Sequence, residues 1–168
     1  AVLDDLSSCD ALIVGSPVRH RSADARIKAF IERTLEVSWL TDDLVGRVGG
    51  VFSVGGGYGN VGAGVEVAQI GLLAAMAASG LVMVPMPKTT PGFEIAGSHW
   101  GPHGRTGGPQ MQPRAVAEEA RLAAFHHGAN VTRVAKAVRG RELFAKGNVA
   151  PSSDLVRLFR GGAGGASA

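Results

Sequence analysis

Ala11-Leu12-Ile13-Val14-Gly15 is the stretch that decides the fold class of this 168-residue chain. The run is continuously apolar, includes β-branched residues and is followed at once by Ser16-Pro17. Such a run is typical of a strand that is buried on both faces of a parallel sheet. Residues 22–37 come next, with apolar side chains at helical spacing and Ser22 as the expected N-cap. A buried strand followed by a helix predicts an α/β fold.

The pattern of a strand followed by a helix repeats twice further along the chain. Strands are predicted at 48–54 and 81–86, and helices at 65–79 and from Pro113 to Arg139. Three such units in a row predict a three-layer α/β/α architecture around a parallel sheet. The stretch 87–112 is predicted to be irregular, and loops of that length are usually functional or disordered.

The loops that follow the three strands are expected to meet at one edge of the sheet. Right-handed crossovers place the carboxyl ends of parallel strands on the same side, and ligands bind outside those ends. Loops 16–22, 53–60 and 87–112 should therefore share one site.

The first of these loops offers donors to an anionic or electron-rich ligand. It leads from a strand into the start of a helix, where free N–H groups and the helix dipole favour such ligands. Pro17 stiffens the turn, and the planar guanidinium of Arg19 can donate to carbonyl or phosphate oxygens or stack on a ring. The alternative is an ordinary loop with solvated arginines.

The second loop, Ser53-Val54-Gly55-Gly56-Gly57-Tyr58-Gly59-Asn60, is rich in glycine. Three consecutive glycines let a ligand lie directly against the backbone, whose N–H groups can bond to the edge of a heterocycle. The alternative is a flexible surface loop. The sequence lacks the Gly-Lys-Ser/Thr of a Walker loop, and it also lacks the dinucleotide fingerprint with its acidic partner.

The third loop contains His99, Trp100 and His103, and the last helix contains His126-His127. The loop histidines lack the cysteine or carboxylate partners that complete a metal site, so no metal is expected. Trp100 is interpreted as a cover for a flat ligand or a neighbouring subunit, and His126-His127 as a solvated or interface pair. No nucleophile–base pair is recognisable, which favours a bound cofactor as the source of the chemistry.

Composition and charge argue against several classes of protein. The net charge is +3 and the basic residues are spread out, so no nucleic-acid partner is expected. A single cysteine, Cys9, excludes an intrachain disulfide framework. No uninterrupted apolar stretch is long enough to span a membrane, and the expected location is the cytoplasm, with no membrane partner.

The domain organisation is predicted to be simple. Residues 1–139 are expected to form one domain, and the chain is interpreted as starting part-way through that domain at Ala1. Residues 140–168 are expected to be a C-terminal extension, with a disordered, glycine-rich tail beyond Pro151.

The order of these segments resembles the WrbA-type NAD(P)H:quinone oxidoreductases, which are flavodoxin-like flavoproteins. Ser16-Pro17-Val18-Arg19-His20-Arg21 is similar to the family's Thr-Pro-Thr-Arg-Phe-Gly, and Ser53-Val54-Gly55-Gly56-Gly57 to its Ser-Thr-Gly-Thr loop. Trp39 precedes Leu44-Val45-Gly46-Arg47-Val48, as a tryptophan precedes Leu-Val-Gly-Lys-Val in the family. Gly97-Ser98-His99-Trp100-Gly101 is similar to Gly-Ser-Pro-Tyr-Gly. As a set these motifs are fairly specific, although each alone is weak.

The resemblance implies a cofactor, two substrates and an assembly. FMN would bind at the three loops, NAD(P)H would donate electrons, a quinone would accept two of them, and the chain would form a homotetramer. The residues that the resemblance places against FMN are Ser16, Pro17, Val18, Arg19, His20, Ser53, Val54, Gly55, Gly56, Gly57 and Tyr58. Arg19, Trp39 and Trp100 would shape the site, with Trp39 acting across a subunit boundary.

The chain also departs from the family pattern. His20-Arg21 replaces Phe-Gly, so that an apolar wall becomes basic, and the family's first strand with its phosphate loop would lie before Ala1. Two other functions therefore stay open: a reductase that supplies reduced flavin, and a non-catalytic flavodoxin-like module for interaction or assembly. The second of these predicts that no flavin binds even when a phosphate loop is present.

Overall fold

A sheet of five strands organises the chain, in a computed structural model that describes residues 3–57, 63–145, 154 and 157. The strands are β1 (Ala11–Arg19), β2 (Ser22–Ala23), β3 (Val48–Gly55), β4 (Val82–Met83) and β5 (His103–Arg105). The helices are α1 (Leu3–Ser8), α2 (Ala25–Phe30), α3 (Glu36–Leu40), α4 (Val65–Ala78), α5 (Phe93–Ala96) and α6 (Glu118–Val138). A π-helical turn, Ile31–Leu35, joins α2 to α3.

β3 is the centre of the sheet, and three strands lie parallel to it. β1 pairs with it from Ala11↔Val48 to Pro17↔Val54. On its other side β4 lies beside its beginning and β5 beside its end, where Ser53 pairs with His103. β2 is antiparallel to the end of β1. The predicted parallel α/β arrangement is confirmed.

Helices cover both faces of this sheet. Val51 of β3 packs with Leu72 and Met76 of α4 in one buried cluster, to which α1 and the π-helical turn also contribute. Val48 packs with Val131 of α6 in a second buried cluster on the other face. Among the described helices, none combines the length and apolar character needed to cross a membrane.

The first predicted loop is shorter than expected, because β1 continues through Arg19. His20 and Arg21 then make a tight turn with φ angles of 47° and 65°, and β2 folds back on β1. Ser22 lies in β2, so its predicted role as N-cap is wrong. Asp24 is the N-cap of α2, since its carboxylate accepts a hydrogen bond from the N–H of Arg26 at 3.0 Å.

The second half of the chain departs further from the prediction. The strand expected at 81–86 is regular only at β4, although the Val84 N–H still donates to the Gly49 carbonyl at 2.9 Å. The stretch 87–112, expected to be irregular, contains α5 and β5, and the last helix begins at Glu118 rather than Pro113. Much of the predicted extension 140–168 lies outside the described residues, so the division at 139 stays a prediction.

The π-helical turn sets which side of the α2–α3 segment faces the core. The Glu36 N–H donates to the Ile31 carbonyl, five residues back, so that the turn holds one residue more than an α-helical turn. Leu35, the last residue of this turn, and Val37 are buried (1% exposed each), and Trp39 points outward.

His127 is buried, so its interpretation as a solvated or interface residue is wrong. It is 1% exposed, and neither ring nitrogen has a hydrogen-bond partner in the described part of the chain. A Cβ at Gly50 would lie 3.1 Å from its Nε2, so the ring packs directly on a glycine of β3. Burial lowers the pKa of His127 below its usual value.

We expect His127→Leu to raise the free energy of unfolding by about 1 kcal/mol at pH 7, because it removes a buried polar group without partners. It should also flatten the pH dependence of stability. His127 is protonated near pH 6.5 in the unfolded chain, but only at lower pH in the folded chain. The contribution of the neutral His127 ring to the free energy of unfolding is therefore fully present above about pH 6.5 and is lost as the pH falls.

Urea unfolding at pH 7 and at pH 5.5 measures both effects. His126→Leu is the control, because it exchanges the neighbouring histidine on the same helix, which is not buried. An unchanged difference between the two pH values in His127→Leu would contradict the assignment.

Candidate functional site

The carboxyl ends of β1, β3 and β5 lie side by side and define the candidate site. Ser16 pairs with Ser53, and Ser53 pairs with His103. The Cβ of Val18 lies 3.3 Å from the position that a Cβ on Gly55 would occupy. The structure thus brings parts of all three predicted loops together at one edge.

The glycine loop exposes its backbone at this edge. A Cβ at Gly56 would have nothing within 4 Å, and Gly57 has a φ of 64°. No acceptor in the described part of the chain takes a hydrogen bond from the N–H of Gly56 or Gly57. The predicted contact residue Tyr58 lies outside the described residues. An open backbone with free donors suits the polar edge of a heterocycle.

The turn after β1 carries a charged cluster centred on Asp24. Hydrogen bonds from the side chain and the backbone N–H of Arg26, together with the charges of Arg26 and Arg19, lower the pKa of Asp24 to about 2. Arg19 lies 3.6 Å from this carboxylate and its side chain is largely exposed. His20 and Arg21 follow on the exposed turn. The edge beside the glycine loop is therefore basic.

The side chain of Ser16 is buried, and its hydroxyl makes hydrogen bonds within the protein. It is 1% exposed, and its hydroxyl donates to the Pro17 carbonyl at 2.8 Å and accepts from the Asp24 N–H at 2.9 Å. The hydroxyl therefore fixes the turn into α2.

A buried polar network connects β3 to β5. The side-chain amide of Gln69 donates to the Ser53 hydroxyl at 3.0 Å, and its carbonyl accepts from Ser98 at 2.6 Å. Ser53 Oγ lies 3.0 Å from His103 Nδ1. Ser53 Oγ already accepts from Gln69, and Nδ1 is the one acceptor that the described residues offer to the hydroxyl proton. We therefore assign this proton to the bond with Nδ1, which leaves the His103 proton on Nε2.

Burial lowers the pKa of His103, so the ring is neutral at neutral pH. Its Nε2 has no hydrogen-bond partner in the part of the chain described here. The network therefore presents one neutral N–H donor beside the glycine loop.

A cavity of about 950 Å³ opens next to His103, at the upper end of the volumes of small-molecule sites. Its wall comes from Gly57 of the glycine loop, the first turn of α4, α5, β5 and the start of α6. The lining residues are Gly57, Ala63, Val65, Glu66, Ile95, Ala96, Gly97, Ser98, His103, Arg105, Arg114, Ala117 and Ala120. No group of side chains that could hold a metal ion occurs among the described residues.

The two tryptophans do not line this cavity. Trp39 is 53% exposed and lies near the end of α3. The helical segment formed by α2, the π-helical turn and α3 runs from the carboxyl end of β1 toward the beginning of β3. About 15 residues of helix separate Trp39 from Asp24, or about 20 Å. Trp100 lines an apolar groove between α4 and β4, with Ile70 and Met83. The expectation that either one shapes the site within a single chain is not supported by this placement.

The sequence reasoning missed Gln69, Arg105 and Arg114 and read His103 only as a loop residue. Gln69 could have been recognised from the sequence, because it is the one polar residue on the buried side of α4, beside Ala68 and Leu72. A buried amide needs partners. The arginines gave no signal, since they lie in the stretch predicted to be irregular.

The fold defines the class of protein. A WrbA-like flavodoxin from Agrobacterium tumefaciens superposes with a TM-score of 0.58, over 80% of this chain and 71% of that one, at 15% sequence identity. The chain is therefore a flavodoxin-like α/β protein, as the sequence predicted.

Sequence comparison places the chain within that class. Residues 1–94 match the NADPH-dependent FMN reductase family, and the chain belongs to this family. An NAD(P)H dehydrogenase (quinone) of Sinorhizobium fredii is 31% identical over 141 residues, which are 80% of this chain and 67% of that protein. A protein of the same name from Cupriavidus metallidurans is 30% identical over 149 residues, 83% of this chain and 70% of that protein.

Proposed function

We propose that this chain is an FMN-dependent oxidoreductase that takes electrons from NAD(P)H and reduces quinones by two electrons. Membership of the FMN reductase family and the names of the similar proteins support this function. The observation that carries it is the open glycine backbone beside the end of β1, where ligands of such folds bind.

The residues at this edge fit a flavin. The free N–H groups of Gly56 and Gly57 can donate to its polar edge, and Pro17 and Val18 on the neighbouring strand can bear against its ring. Bound FMN would supply hydride acceptance and donation, which no side chain at this edge can supply. Arg19 adds a positive charge that favours an electron-rich ligand.

The remaining contact residues of this proposal follow the resemblance. They are Ser16, Arg19, His20, Ser53, Val54, Gly55 and Tyr58. Because the hydroxyls of Ser16 and Ser53 are engaged inside the protein, these two residues would contribute through backbone atoms. Trp39 would contribute only to the site of another subunit.

A homotetramer in the cytoplasm completes the proposal, and the outer face of α4 supports association. Val67 and Ile70 on this helix are 63% and 46% exposed. The adjoining groove of about 500 Å³ is lined by apolar residues, His99 and Trp100, with no lysine, arginine or carboxylate among the described lining residues. An exposed apolar helix face of this kind is usually covered.

We expect Ile70→Glu to reduce the molar mass in solution to that of a smaller assembly, because a carboxylate would be buried without a partner. Light scattering coupled to size exclusion measures this mass. Leu122→Glu is the control, since Leu122 has similar exposure (42%) but lies on α6. Dissociation of the control but not of Ile70→Glu would contradict the assigned face.

Absorbance spectroscopy tests the proposed function. Protein incubated with FMN and then desalted should retain an absorbance band at about 450 nm, the signature of bound flavin, and should oxidise NAD(P)H only when a quinone is added. Oxidation of NAD(P)H with release of reduced flavin would instead indicate a flavin-supplying reductase. Loaded protein that shows neither activity would refute the proposal and favour a binding module.

A further inference from the structure

The cavity beside His103 is lined by both apolar and charged side chains. Gly57 of the glycine loop lines it, together with His103 and Arg105 of β5. Val65, Ile95 and Ala120 form an apolar wall from three different helices. The ring of a flat ligand can therefore contact apolar side chains from three helices.

Two arginines also line the cavity, and the backbone holds them near the end of β5. The Thr106 N–H donates to the Gly55 carbonyl at 2.8 Å, and the Arg114 N–H donates to the Thr106 carbonyl at 2.9 Å. The segment between them returns on itself through a bridge from Gly107 to Pro113. Arg105 and Arg114 thus reach the cavity from neighbouring backbone positions.

These guanidinium groups keep donors free for a ligand. Arg105 uses Nε to donate to the Gly107 carbonyl at 3.1 Å. Within the described ranges, neither arginine has a carboxylate within 4 Å, and Glu66 is the one acidic residue among the lining residues. A planar guanidinium with free donors matches a carboxylate.

His103 supplies a third donor of a different kind. Its Nδ1 is bonded to Ser53, and its neutral Nε2–H is left for a ligand oxygen. A neutral donor suits an uncharged carbonyl, whereas the arginines suit a charged acid group.

We propose that this cavity binds a flat organic acid, with its carboxylate at Arg105 and Arg114, its ring against the apolar wall and a ring oxygen at His103. This extension rests on the proposed function, and it predicts that the acceptors that the enzyme prefers are quinones that carry a carboxylate. The cavity adjoins the glycine loop at Gly57, so an acceptor bound there lies next to the proposed flavin edge.

Binding of 2-naphthoate tests the site without requiring turnover. We expect calorimetry to detect 2-naphthoate and to find its methyl ester at least about tenfold weaker, because the ester cannot pair with the arginines. Arg105→Gln and Arg114→Gln should each weaken 2-naphthoate about fivefold to tenfold. Arg133→Gln, which removes the same charge from α6, should leave binding unchanged.

The opposite outcomes overturn the proposal. They are equal binding of acid and ester, no binding of either, or binding of ADP in place of 2-naphthoate, which would indicate a nucleotide site. Both cavity arginines are exposed, so circular dichroism should show folded variants. A second measurement separates this inference from the function: an anthraquinone carboxylate should have a higher kcat/KM than its methyl ester. Naphthoate binding without quinone reduction would refute the function and leave the acid site standing.

Discussion

Gly101→Ala is expected to lower the free energy of unfolding by about 3 kcal/mol or more, the largest loss of stability that a single added methyl group should cause in this chain. A Cβ at this position would lie 2.1 Å from the Val51 carbonyl oxygen and 3.0 Å from its carbon. Val51 is fully buried in the central strand, so the backbone that it would strike cannot move aside.

The same residue supports the polar network, which increases the expected loss. The Gly101 carbonyl accepts a hydrogen bond from Gln69 at 3.2 Å, and displacement of that carbonyl would weaken a buried bond. Urea unfolding followed by circular dichroism measures the change. Gly128→Ala is the matched control, because a Cβ there meets nothing within 4 Å inside a helix. The control should gain about 0.5–1 kcal/mol. Equal stability of the two variants would contradict this account.

Gly56→Leu is expected to weaken FMN binding by about a hundredfold while the protein stays folded. A Cβ at Gly56 meets nothing within 4 Å, and its φ lies outside the left-handed region, so the protein itself has room for a side chain. That same room is where the flavin would approach the backbone. The substitution therefore separates ligand binding from folding.

Fluorescence titration with FMN measures this loss, and thermal unfolding checks that the fold is intact. Gly128→Leu places the same side chain at another open glycine on α6, away from the proposed site. It should bind FMN like the unmodified chain. Undiminished binding in Gly56→Leu would show that the flavin does not rest on this loop.

The elements that the sequence predicted well are those whose local pattern and tertiary role agree. Val48–Gly55 is a continuous apolar run and forms the central strand, and Val65–Ala78 ends where Gly80 adopts a φ of 80°. β5 was missed because its three residues, which follow a proline and include a glycine, have no strand pattern of their own. It exists because β3 offers a free edge at Ser53.

The candidate site was likewise predictable from the sequence only in part. The glycine loop was recognisable because consecutive glycines after a buried strand have few structural uses. The positions of Trp39 and Trp100 were not predictable from the sequence. They depend on the length of the helical segment that ends with α3 and on the side of β4 to which the chain returns. The cavity was also not predictable, since it requires Arg105 and Arg114, which come from a segment that only its pairing to β3 makes regular.

The π-helical turn at Ile31–Leu35 has a consequence for how this protein can vary in length. Removing one residue there would restore an ordinary α-helix and rotate everything after it by about 100°. Leu35 and Val37 would swing away from the interior while Trp39 moved toward it. Natural variants should therefore accept many exchanges of residue type on this segment but very few deletions, and a shortened helix would have to arise together with a rebuilt interior.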